Sequence, residues 1–458
     1  MHRYLLSLAV LPLLLAGCGK IDLAADVATG FVSHQVCSAA FVTKVDPEDF
    51  YREAIAPTLG PAAFLVSHKV DLQTKEVTSS FAGLATSRAA YRGPLGCLVL
   101  HDPVPAAELL PADEAVPSLL PEIAGPALVA PVDPALERAL DRTFEEPGTP
   151  HRGTKAVVVV KDGQVIAERY APGYGIDTEI AGWSMTKSVT NALIGILVRQ
   201  GKVSTTGPAP IGAWADAKDP RHAITVDNLM RMNSGLDIGQ SLTASASDAI
   251  DPSAQMVFVE RDMAGFAAKV PLKFAPGSDW NYTNGNTLLL SRIIRDRTGG
   301  TAASTLAFAR HELFERLGMR HVTLEFDATG TPIGASHMFA TARDWARFGL
   351  LYLNDGVVGG QRILPEGWVD YSASLTPHSD EYGYSVGFWT NRDNSGGGHY
   401  RIKAGMPADA FMARGAYGQY VVIVPSMNLV VVRLGNSFER RNDLDSVARL
   451  IADVAALK

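Results

Sequence analysis

The sequence predicts a mixed α/β (α+β) fold: an antiparallel sheet flanked by helices, a mostly helical subdomain, and a small amino-terminal mixed domain. Three observations predict it. From Lys155, KAVVVV-KDGQ-VIAERYA reads as a β-hairpin with Asp162-Gly163 as its turn. At the far end of the chain FMARG, YVVIVP and LVVVRLG return to strand patterning. Between them, to about residue 372, the pattern is mostly helical. Sequentially distant strands can then share one antiparallel sheet, with helices on its faces.

The 458 residues are 47% hydrophobic and 19% charged, the balance of a folded globular protein. A formal net charge of -7 leaves no basic footprint, so nucleic-acid binding is not expected. The chain opens MHRYLLSLAVLPLLLAGCGK, with Arg3 as a positive n-region. Its apolar stretch, Tyr4 to Ala16, is shorter than the ~20 residues of a spanning helix. Leu15-Ala16-Gly17-Cys18 resembles a bacterial lipobox, which implies that residues 1–17 are a signal peptide and that the Cys18 sulfur is lipidated. An ordinary cleaved signal with an incidental cysteine is the other reading. Gly19, not an aspartate, follows, so inner-membrane retention is not indicated. The expected location is the cell envelope, at the outer membrane facing the periplasm, with the lipid as the only membrane attachment. With Cys18 lipidated, Cys37 and Cys97 remain as an even pair in an oxidising compartment. A disulfide between them is expected; two separately buried thiols are the alternative.

Residues 18–103 read as a small α+β domain, in which FVSHQVCSAAFVTKV and SSFAGLATSRAAYR are strand-like or short helical pieces. Residues 104–132 are rich in proline and alanine and read as a linker or wrapping arm, not a core element. Residues 133–458 form the main domain. A capped helix starts near Asp133, and Thr341 with Asp344 is placed like a capping box for a helix ending near Asn354. Ser426-Met427-Asn428 turns between the last two strands, and a helix from about Asp443 to Leu457 finishes the chain.

Within GWSMTKSVTNALIGILVRQG, Ser184 has two readings. It can be the N-cap of a buried helix. Alternatively, Lys187, three residues on and on the same helix face, can take its proton once burial leaves the amine neutral. Tyr282-Thr283-Asn284 is either a turn ahead of Gly285 or a hydroxyl and an amide converging on that serine. In DAFMARGAYGQYVVIVP, the break at Gly415-Ala416 is either a plain bulge or a strand edge offering an N–H to an oxyanion.

S-x-x-K on a helix, Y-x-N on a loop and a glycine-rich terminal strand, in this order, resemble the serine β-lactamase and penicillin-binding superfamily. The likeness is closer to its class C-like esterases and 6-aminohexanoate-dimer hydrolases. LMRMNSGLD, PGSDWNYTNGN and RFGLLYLNDG with ILPEGWV are similar to family habits as well, over about residues 150 to 458. The resemblance implies Ser184 as acylated nucleophile, Lys187 as base and Tyr282 as proton donor to the leaving group. It further implies Asn284 in substrate binding, and the backbone N–H groups of Ser184 and Ala416, next to Gly415, as the oxyanion hole. The substrate expected is a small ester or amide, with no metal and no cofactor. One departure stands out: Ala413-Arg414-Gly415 stands where the resemblance implies Lys-Thr-Gly in β-lactamases and DD-peptidases and His-x-Gly in many esterases. The lost cation would hold a substrate carboxylate, and strand alternation turns Arg414 away from the face of Ala413. Ester or amide hydrolysis is therefore expected ahead of β-lactamase or DD-peptidase activity. A non-catalytic binding lipoprotein that kept the fold is the third reading. No G-x-S-x-G elbow and no H-E-x-x-H occurs.

Overall fold

A computed structural model describes residues 7–104, 116–241 and 250–457. The side chain of Cys18, part of the expected signal peptide, and part of the Pro/Ala-rich segment lie outside the described residues. Helix α1 runs from Ser7–Ser38, so the expected cleavage point falls inside it. Among the described residues no helix is long and apolar enough to cross a membrane.

Helix α1 continues through FVSHQVC, and AAFVT follows as a π-turn, so this part of the first unit is wholly helical. Four antiparallel strands follow in sequence order: β1 (Val66–Asp71), β2 (Glu76–Phe81), β3 (Ala85–Tyr91) and β4 (Cys97–Val99). Ala28, Val32 and Val36, at helical spacing on α1, pack with Val77, Ala89 and Cys97 of this sheet. Cys37 and Cys97 form a disulfide that ties α1 to β4.

The main domain starts with α2 (Pro134–Phe144), capped by the Asp133 carboxylate on the Ala135 N–H. β5 (Thr154–Lys161) and β6 (Gln164–Tyr170) form the expected hairpin, with Asp162 and Gly163 at φ +52° and +79°. After β7 (Ile180–Ala181) come α3 (Thr186–Arg199), α4 (Pro252–Phe258) and α5 (Asn284–Arg297). β8 (Val322–Leu324) and β9 (Met338–Ala340) join β7 in a small sheet, and α6 (Ala342–Leu353) follows. Thr341 caps α6 through the Asp344 N–H, but the Asp344 carboxylate accepts from the His321 N–H, so the box is one-sided. A two-residue pair, β10 (Val357–Val358) and β11 (Gln361–Arg362), precedes β12 (Trp389–Thr390) and β13 (Phe411–Gly415). β14 (Gln419–Val424), β15 (Leu429–Gly435) and α7 (Leu444–Ala455) complete the chain.

The main sheet has the order β12-β13-β14-β15-β5-β6, all antiparallel. It is covered on both faces, which explains its continuous valine runs. Ala156, Val158 and Val160 of β5 face the core that holds α3 and α6, while Val157 and Val159 face α2 and α7. The β6 edge is covered by the Pro/Ala-rich segment: Val165 N–H donates to Ile123 O at 2.8 Å and Glu168 N–H to Val129 O at 2.9 Å. Arg343 Nε binds Glu168 Oε2 at 2.9 Å, and its other nitrogens reach the Gly125 and Ala127 carbonyls at 2.7 and 2.8 Å. The wrapping arm is thus present, but Ile123, 1% exposed, enters the core, contrary to expectation. A strand edge needs both a hydrogen-bonding cover and an apolar plug, and Ile123 supplies the second.

Glu325 joins the amino-terminal unit to the main domain. It is fully buried and accepts from His34 Nε2 at 2.7 Å, the Cys97 N–H at 2.7 Å and Ser38 Oγ at 3.3 Å. Removing this carboxylate strands several buried donors. Glu325→Ala should cost about 3 kcal/mol of unfolding free energy, measured in urea; a loss within error of zero would mean that the joint carries no load.

Candidate active site

Trp183–Met185 make one 3-10 turn that leads into α3. Trp183 sits at φ +47°, a left-handed conformation that costs an aromatic residue about 1–2 kcal/mol. Its ring packs on Tyr417, itself at φ +59°, with centroids 5.2 Å apart. Ser184 does not cap the helix: the cap positions are Gly182 and Met185, and neither uses a side-chain hydrogen bond. Its hydroxyl instead meets Lys187 and Tyr282.

Lys187 is 3% exposed. Its Nζ lies 3.1 Å from Ser184 Oγ, 2.8 Å from Asn284 Oδ1 and 2.7 Å from the Ala335 carbonyl. Burial alone lowers this amine to about 7. Once neutral it has two protons and one lone pair. The carbonyl and the amide oxygen can only accept, so they take the two protons. The lone pair is left for the one partner that can donate, the Ser184 hydroxyl.

Tyr282 is equally buried, and burial pushes its phenol up to about 12, against the pull of the Ser184 hydrogen bond and the Arg414 charge. It stays a donor at neutral pH. Its ring stands 5.0 Å from Lys187 Nζ and is wedged among Trp280, Tyr384 and Trp389. Those aromatics are core that fixes Tyr282. Ala413 and Arg414 do face opposite sides of β13, as alternation requires. Ala413, however, packs into the core beneath α3, while the Arg414 guanidinium lies 5.6 Å over Trp389. Arg414 thus faces away from Ala413, as expected, and shares the side of Tyr282. Strand parity gives the two faces but not which of them carries the tyrosine.

Asn284 opens α5, and its Nδ2 reaches Ser253 Oγ at 3.3 Å while its oxygen holds Lys187. Ser253 in turn meets Ser241 Oγ at 2.5 Å. A cavity of about 190 Å³ brings together Ser184, Asn284, Ser253, Ala416 and Tyr417. Gly415 does not line it. A Cβ there would sit 2.2 Å from the Gly182 carbonyl, so its place is a close backbone contact that sets β13 against the Ser184 turn. The turn after it is held from behind: Arg433, fully buried, donates to Gly418 O at 2.7 Å, and Gln419 Nε2 donates to Ala416 O at 3.0 Å. The sequence offered no sign of Ala335, whose contribution is a backbone carbonyl, nor of Ser253. A charged residue inside LVVVRLG was the one visible hint of Arg433.

His34, Glu325 and His337 bring ligand-type atoms within 4.8 Å of one another. The Glu325 oxygens already accept three hydrogen bonds, and His34 Nδ1 meets Gln35 Nε2 at 3.1 Å. His337 Nδ1 meets Ser336 Oγ at 2.6 Å. The donors and acceptors match as a hydrogen-bonded latch, and a cation would have to displace them.

A family model described as Beta-lactamase matches residues 140–456. The chain belongs to the beta-lactamase family. A 6-aminohexanoate-dimer hydrolase of Paenarthrobacter ureafaciens is 25% identical over 253 residues, 52% of this chain. The match spans 59% of that relative's length. A penicillin-binding protein homologue from Caulobacter crescentus shares the fold at a TM-score of 0.54 and 18% identity, over 73% of this chain and 100% of that one. A family VIII carboxylesterase does so at 0.53 and 15%, over 72% and 99%. These likenesses agree with the expected architecture, an antiparallel sheet flanked by helices.

An amine held near 7 in the fold and at 10.5 when exposed binds fewer protons in the native state between those values. Stability therefore rises with pH across that window and falls toward its lower end. Unfolding of the wild type from pH 7 to 10 should show a rise that Lys187→Met lacks; parallel profiles would mean that the amine is not depressed.

Proposed function

We propose that this family member is a serine hydrolase that cleaves a small ester or amide through an acyl-enzyme on Ser184. The observation that carries the reading is the buried Lys187, with no carboxylate partner among the described residues and its lone pair left for the Ser184 hydroxyl. Ser184 Oγ gives its proton to Lys187 Nζ and attacks the substrate carbonyl carbon. Backbone N–H groups of Ser184 and Ala416 receive the oxyanion, and the start of α3 adds its dipole. As the carbon–oxygen or carbon–nitrogen bond breaks, the leaving group takes a proton supplied by Lys187 by way of Tyr282. Water then attacks the acyl-enzyme ester, giving a proton to Lys187, which returns it to Ser184 Oγ as the bond from that oxygen to the acyl carbon breaks and the free acid leaves. Asn284 fixes the amine.

A second reading, hydrolysis of β-lactams or cell-wall peptides, gains from Arg414, a cation beside Tyr282. It loses from Ala413, buried where the family's lysine would stand. We further propose, from Leu15-Ala16-Gly17-Cys18, a lipid anchor at Cys18 in the bacterial cell envelope.

Exposure to a fluorophosphonate with intact-mass detection tests the mechanism. Wild type should gain one adduct, Ser184→Ala none, and Lys187→Ala should react roughly 100-fold more slowly. Adduct formation on Ser184→Ala would place the nucleophile elsewhere.

A further inference from the structure

The cavity in front of Ser184 is not built by the main domain alone. Val27, Ala28 and Phe31 of α1 line it, as do Thr58 and Leu59 of the same amino-terminal unit. They face Val257 and Phe258 of α4 across the opening. The placement is tight. A Cβ on Gly30 would lie 2.3 Å from the Phe258 carbonyl oxygen, so a glycine is what lets α1 come this close. Phe31 and Phe258 meet edge to face at 5.4 Å. Thr58 Oγ1 bonds the Tyr417 hydroxyl at 2.9 Å, joining the unit to the turn that carries Ala416. The latch at Glu325 and the disulfide hold the same helix from behind. Among the described lining residues one carboxylate, Asp251, is present, and no lysine or arginine.

We propose that the amino-terminal unit is a wall of the substrate pocket, and that it selects neutral esters or amides carrying an apolar chain over those carrying a carboxylate. This rests on the acyl-enzyme reading above. Val27, Phe31 and Leu59 set how long a chain fits; among the described lining residues no lysine or arginine meets an anionic group, and Arg414 is not one of them. Pocket depth here acts on selectivity through single methylenes, each worth roughly tenfold or more.

The test uses the full chain and a series of p-nitrophenyl esters from acetate to octanoate, with a hemisuccinate ester matched in length to a neutral one. Phe31→Ala and Leu59→Ala, on separate segments, should each raise the octanoate-to-acetate ratio of kcat/KM by about tenfold. The hemisuccinate should be hydrolysed at least about tenfold more slowly than its neutral match. Should one variant fail to fold, the other still reports on the wall. A wild type that takes the fluorophosphonate on Ser184, with ratios unchanged in the folded variants, overturns this inference and leaves the acyl-enzyme reading standing. Equal rates on the hemisuccinate overturn the charge selection. A wild type with neither adduct nor turnover overturns both readings together.

Discussion

The site depends on keeping one amine out of water. Among the described residues no carboxylate neutralises the buried Lys187, which is unfavourable for an ammonium and tolerable for a neutral amine. Every neighbouring element serves that condition. α3 carries the lysine into the core, α5 brings the Asn284 oxygen, and the segment before β9 brings the Ala335 carbonyl. The same burial keeps Tyr282 protonated. One physical cause thus favours a neutral amine and a protonated phenol side by side, because desolvation moves an amine and a phenol in opposite directions.

A second constraint is the seat of α1. Its carboxylate partner, Glu325, comes from just after β8, and His337, which lines the cavity, packs tilted against His34 with ring centroids 4.4 Å apart. The joint between the units and the wall of the pocket are therefore neighbours. Burial, together with His34 and Lys187, holds the His337 imidazole well below its usual pKa, so no added charge appears beside Lys187 at neutral pH.

Much of this was legible in the residues. Asp162-Gly163 between two valine-rich runs, Asp133 ahead of Pro134, and the strand-turn-strand around Ser426 are local signals, and local signals survive folding. S-x-x-K and Y-x-N were legible because their chemistry resides in side chains. The rest was hidden for physical reasons. FVSHQVC is apolar and small on several helix faces, since α1 is packed on two sides, so it lacks the single stripe that marks a helix. Ile123 sits in a proline-rich stretch whose composition says arm, and only the neighbouring β6 edge makes it core. Ala335 contributes a carbonyl, which any residue has. The side on which Arg414 lies follows from where Tyr282 lands, and that is tertiary information.

The sheet order has a consequence for the timing of assembly. β15 lies between β14 and β5, pairing Leu429 with Lys161 and Val432 with Val158. As a chain emerges amino end first, Ser184 appears long before its opposite strand exists. Until β13 to β15 are made, Ser184 lacks the strand opposite it and β5 has one bare edge. Synthesis cut short would leave Ser184 without the strands that face it, and the valine-rich edge of β5 open to another partner.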